Sequence, residues 1–223
     1  RYSALIPLVD CIKNGTTTII DHHESQGFQA GSLDVLEQAL RRTGVRGCLT
    51  LGVSDRYGKG REGVEENIRF IRKVAQRKRH GDDLVSAMFG LHALFTVNPR
   101  TLKECIAAAS ALDVGMHVHV AEDLSDQQAN RKKYGKSVVQ RLHEAGGLGP
   151  RTLAIHCVHV SPAEMALLKK TGTCVVHNPQ SNTNNAVGVD GPLTGTKPKF
   201  DPAVNSVTLR STPRAEIKAD LKK

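Results

Sequence analysis

A chain of 223 residues with 39% hydrophobic content can bury one sizeable core or two small ones. No apolar run reaches the roughly 18 to 20 residues that span a bilayer, and the opening RYSALIPLVDC has neither a secretory charge pattern nor a small-residue cleavage site, so we expect a cytoplasmic protein with no membrane partner. The formal net charge of +9 invites a polyanionic partner. Much of that charge lies in RKVAQRKRH (72 to 80) and from Lys197 onward, without interleaved aromatics, so it reads as a solvated helix end plus a basic tail rather than a nucleic-acid groove.

Short β-rich runs alternate with helical patterns after the helix ALIPLVDCIKNG, the signature of βαβ units and a parallel sheet. The expected strands are TTTIIDHH (16 to 23), VRGCLTLGV (45 to 53), LVSAMFGLHAL (84 to 94), GMHVHVAE (115 to 122), TLAIHCVHV (152 to 160) and GTCVVHNP (172 to 179). Between the first two, Ser32 precedes a helix with Leu33, Leu36 and Leu40 on one face, ended by Gly44. The next helix places Val64, Ile68, Ile71 and Ala75 at helical spacing. Thr101 with Glu104, and Ser161 with Pro162 and Glu164, read as capping boxes. Single-sided helices on six strands fit an open doubly wound sheet or part of a (β/α)8 barrel, and no phosphate-binding glycine motif favours the open sheet. From about Val189 the text turns rich in Pro, Gly, Thr and Lys, with a weak strand candidate at 206 to 209; this is read as a basic, weakly ordered tail (189 to 223) after a barrel region (1 to 188). The five cysteines are odd in number and widely spaced, which favours reduced thiols.

Histidines gather at the C-terminal ends of these strands: His22 or His23, His92, His117 with His119, His156, and His177. In a parallel α/β fold those ends share one face, where sites are built. In HVHVAED the period of two puts His117 and His119 on one face, and Glu122 falls where the strand should end. Imidazoles can hold zinc or iron while a nearby carboxylate moves the proton of a bound water. A core histidine satisfied by a carbonyl is the alternative for a lone HxH. His156 adds an imidazole from the next strand, and His159 falls on the opposite face. HNPQSNTNNAVG (177 to 188) is either a polar turn or a surface that hydrogen-bonds a nitrogen-rich substrate.

These motifs, in this order and with NGTTTIIDHH and GLHALFTVN ahead of them, resemble the amidohydrolase superfamily, in the branch of guanine, cytosine and adenosylhomocysteine deaminases and triazine chlorohydrolases, with the wording HNPQSN and NNAVG closest to aminohydrolases of the SsnA type. The resemblance implies a distorted (β/α)8 barrel, one divalent metal, zinc or iron, and hydrolysis of a C–N or C–Cl bond of a nitrogen-rich small molecule, deamination and dechlorination being equally open. It implies His119 and His156 as metal ligands, Glu122 as the acid/base, and His92, His177 and Asn178 as contacts to a heterocyclic or amidine-type small molecule; His117 becomes a neighbour. Two departures stand out. No HxH precedes the first helix, and Asp190 lacks the apolar strand that precedes the family's aspartate. We therefore expect an α/β chain comprising about strands two to seven of the barrel, cut at both ends and inactive alone. The open strand edges then need cover, from a partner, the tail or homo-oligomer formation. A barrel remnant that has lost catalysis and serves as an interaction module is the alternative.

Overall fold

The computed structural model describes residues 2–188 and the three-residue strand 207–209. It divides into two compact units, Arg1–His92 with Thr96–His117, and Ala93–Phe95 with Val118–Lys223.

In the first unit, α1 (Tyr2–Lys13) leads into β1 (Thr18–His23), α2 (Ser32–Thr43), β2 (Arg46–Leu51), α3 (Gly60–Lys78), β3 (Val85–Ala87), β4 (Phe89–Ala93), α4 (Pro99–Ala111) and the start of β5 (Met116–Val120). The sheet runs β1-β2-β3, with both pairings parallel and Thr18 opposite Arg46. Its core gathers Leu33, Leu40, Leu49, Leu51, Phe70 and Val85, each at most 4% exposed. Helix α2 stops as its sequence dictates: Gly44 takes the left-handed conformation (φ 73°) and its amide returns to the Leu40 carbonyl at 2.9 Å.

Three expectations need correcting. The run 84 to 94 is interrupted at Met88, giving two short strands in place of one. The buried face of α3 includes Val64, Asn67, Phe70, Ile71 and Val74, while Ala75 is exposed and Ile68 half-buried; Asn67 faces inward, where its amide bonds the Leu51 and Gly90 backbone. Thr101 is not an N-cap. Asn98 caps α4, its side chain accepting from the Thr101 amide at 2.9 Å with Pro99 in the first turn, while Thr101 Oγ1 donates to Asp55 at 2.9 Å.

Two residues of the basic run 72 to 80, Lys73 and Arg77, are used internally. Glu37, 2% exposed, accepts from Arg41 and from Lys73 at 2.7 Å and pairs with Arg77; Asp34 pairs with Lys73 and with Arg69 at 2.9 Å. The α2–α3 contact is thus an ion-pair lattice laid over an apolar seam.

The second unit holds the end of β5, then α5 (Leu124–Tyr134), α6 (Val138–Glu144), β6 (Leu153–His156), α7 (Pro162–Lys170), β7 (Cys174–His177), α8 (Pro179–Asn184) and β8 (Val207–Leu209). The strands follow the order β5-β6-β7-β8, with β6 and β7 parallel and β8 antiparallel to β7. The weak strand candidate at 206 to 209 is matched by β8. The other residues of the expected tail, Asp190 among them, lie outside the described residues. Helix α7 has the expected capping box: the Glu164 amide donates to Ser161 Oγ at 3.4 Å and the Ser161 amide to Glu164 Oε2 at 2.8 Å. Strand β6 is four residues long, shorter than the run 152 to 160 suggests, because His156 and Cys157 turn left-handed at φ 71° and 53°. HNPQSNTNNAVG contains a short helix, α8, started by Pro179, where the sequence suggested a loop. All five cysteines are free.

Candidate active site

The second unit gathers a constellation at the ends of its strands. Strand β5 stops at Val120 because Ala121 is left-handed, φ 47°, and its amide donates to Asp126 Oδ2 at 3.0 Å rather than to a neighbouring strand. Asp126 is 3% exposed and also accepts from Asn130 Nδ2 at 2.9 Å. Burial pushes the Asp126 carboxyl up to about 7, against the opposing pull of the Ala121 and Phe95 amides and the Arg141 charge. The consequence is local: a buried acid holds the turn from which Glu122 projects.

Next to it, the left-handed pair His156 and Cys157 ends β6. The Cys157 amide donates to the Val120 carbonyl at 2.9 Å and the His159 amide to the Ala121 carbonyl at 3.0 Å, so the two turns brace each other. Left-handed conformations in residues with a Cβ cost about 1–2 kcal/mol each, and such strain collects where a side chain must be aimed. His156, 4% exposed, faces Glu122 with Nε2 at 3.6 Å from Oε1, and its ring lies 5.5 Å from that of His119 at a 33° tilt. On the other side, His156 Nδ1 meets Asn182 Oδ1 at 2.6 Å. Glu122 Oε1 accepts from Asn185 Nδ2 at 2.9 Å.

His119, Glu122 and His156 therefore come together. His177, at the end of β7, is 8% exposed; burial, and then the charge of His156, pull it below the ordinary imidazole range, and its Nε2 has no hydrogen-bond partner among the described residues. Asn178 is the N-cap residue of α8, yet its side chain makes no capping bond. His92 belongs to the first unit, where Nδ1 bonds Thr96 Oγ1 at 3.0 Å and Nε2 lies 3.7 Å from Glu24. His117 is matched there with His22, Nδ1 to Nδ1 at 2.8 Å. The side chain of His159 is tied up structurally, with Nε2 against the Val187 carbonyl at 2.8 Å. Reading the sequence missed Asp126, Asn182 and Asn185. The asparagines stood in plain view in HNPQSNTNN, but nothing in that string says which of them face inward.

Imidazole and carboxylate are the right donor chemistry for zinc or iron. Two imidazoles and one carboxylate that faces a ring are still only part of a coordination set, and no group of three or more His, Cys, Asp or Glu side chains among the described residues is arranged to hold a metal.

The model of the amidohydrolase family matches residues 2–195, and the chain belongs to that family. Among curated relatives, the 5-methylthioadenosine/S-adenosylhomocysteine deaminase of Desulforudis audaxviator is 33% identical over 190 residues, which are 84% of this chain and 41% of the relative. The chain thus spans about two fifths of the length of that enzyme. Among solved structures, an adenosine deaminase from Xanthomonas campestris with bound zinc superposes with a TM-score of 0.71 at 24% identity, over 83% of this chain and 40% of that one. A guanine deaminase from C. acetobutylicum with bound guanine gives 0.73 at 18% identity, over 85% and 46%. The α/β fold is that of an incomplete (β/α)8 barrel.

Proposed function

We propose that the chain is part of a metal-dependent amidohydrolase that hydrolyses a carbon–nitrogen bond of a nitrogen-rich heterocycle or amidine, with Glu122 as the acid/base. The observation that carries this is the Glu122 carboxylate set 3.6 Å from His156 Nε2, beside the His119 ring. His119 and His156 would hold the metal, with further ligands from outside the described set. A divalent ion there would supply Lewis acidity and lower the pKa of a bound water. Glu122, held by Asn185 at Oε1, would take a proton from the attacking water and return it to the departing amine. His177 and Asn178 would contact the substrate, as the family resemblance implies. The relatives' names, deaminases of adenosine derivatives and of guanine, support an aminated ring as the substrate class.

Metal analysis of the purified chain tests the reading. Zinc or iron that is lost in His119→Ala supports the reading, and a metal-free chain favours the catalytically dead barrel remnant; in the completed enzyme Glu122→Gln is expected to abolish ammonia release while the metal stays. Loss of metal together with activity in Glu122→Gln would remove the acid/base role.

A further inference from the structure

Asn182 is fully buried, and its Nδ2 has no hydrogen-bond partner among the described residues. A buried amide with an unmade bond costs about 1–3 kcal/mol, so its position is not explained by its own satisfaction. The side-chain bond it makes is to His156 Nδ1, at 2.6 Å. On an imidazole, the hydrogen bond made by one nitrogen decides which nitrogen carries the proton, and therefore what the other can do. A carbonyl oxygen can only accept, so Nδ1 must donate to it. Nε2 is left with its lone pair on the side of Glu122, 3.6 Å away, and of the His119 ring. Helix α8 carries both amides of this arrangement, since Asn185 at its C-cap holds Glu122 three residues further on.

We propose that Asn182 is a positioning residue that fixes His156 as the Nδ1–H tautomer, so that Nε2 faces Glu122 as a bare acceptor able to bind a metal or to receive a proton. The use of that lone pair rests on the functional reading above; the tautomer itself does not.

The test is the ring nitrogen signature of His156 in the metal-free chain, read by long-range nitrogen–proton correlation in mildly alkaline buffer. The wild type is expected to show a protonated Nδ1 and an unprotonated Nε2, with the slowly exchanging Nδ1 proton cross-relaxing to the Asn182 β protons. Asn182→Asp, which keeps an acceptor oxygen, is expected to retain this pattern. Asn182→Leu, of similar size and without the oxygen, is expected to invert the two populations towards the Nε2–H form that a free imidazole prefers. A wild-type ring protonated on Nε2, or an unchanged ring in a folded Asn182→Leu chain, overturns the proposal. If Asn182→Leu does not fold, the wild-type cross-relaxation and the Asn182→Asp pattern decide it in the same way. Neither metal nor turnover enters these measurements, so failure of the acid/base reading and failure of the tautomer are told apart.

Discussion

The two units close their strand ends by different means. In the first, Asn67 is fully buried in α3 and joins the strands with a neutral amide: Oδ1 accepts from the Leu51 and Gly90 amides at 3.1 and 3.3 Å, and Nδ2 donates to the Leu51 and Gly63 carbonyls at 2.8 and 3.0 Å. In the second, the equivalent work falls to the ionisable Asp126, and the chain turns left-handed at Ala121, His156 and Cys157. The histidine pairs differ in the same sense. His22 and His117 share a bond between two imidazoles, each of which can give or take the proton. His156 is bonded to a group that can only accept. In the second unit the left-handed residues and the raised Asp126 carboxyl lie at the same strand ends as His156 and Glu122.

The sharpest way to break this contrast is at Asn67. Asn67→Leu leaves the Leu51 and Gly90 groups unsatisfied in the core and is expected to destabilise the first unit by about 3 kcal/mol or more, seen as a lowered denaturation midpoint for that unit. Next comes pH. The folded Asp126 carboxyl binds its proton more tightly than the unfolded chain does, being raised from 3.8 to about 7. Its contribution is complete below the unfolded pKa and is lost as pH rises through the folded one. The second unit should therefore lose on the order of 2–4 kcal/mol between about pH 4 and pH 7, and Asp126→Asn should flatten that slope while the first unit's profile stays unchanged. The smallest effect is the most diagnostic of strain. Ala121→Gly should stay within about 0.5 kcal/mol of wild type, relief of the positive φ offsetting the lost methyl, whereas Ala154→Gly in regular β6 should cost about 1–2 kcal/mol. Equal costs at the two positions would mean that Ala121 is not strained.

The fold was legible where composition and period agree, and the site was legible by residue type. The βα alternation placed β1, β2, β5, β6 and β7, Gly44 ended α2, and Ser161 with Glu164 capped α7, each through a local rule that tertiary contacts do not override. The strand limits were not legible, because Met88 and His156 break apolar runs that no Gly or Pro punctuates. His119, Glu122 and His156 stand out because imidazoles and a carboxylate at strand ends are uncommon. Asp126, Asn182 and Asn185 could not be picked out, since an Asp in the first turn of a helix and asparagines in a polar stretch are ordinary surface choices, and only burial separates them from their neighbours.

One consequence follows from the neutrality of α8. In the lattice between α2 and α3, Asp34, Arg69, Lys73 and Arg77 are partly open to solvent around the buried Glu37, and added salt should loosen their pairings, the Debye length being about 3 Å at molar concentration. The amides of Asn182 and Asn185 carry no net charge to be screened. As ionic strength rises, the contact between α2 and α3 should slacken while the His156 ring keeps its orientation.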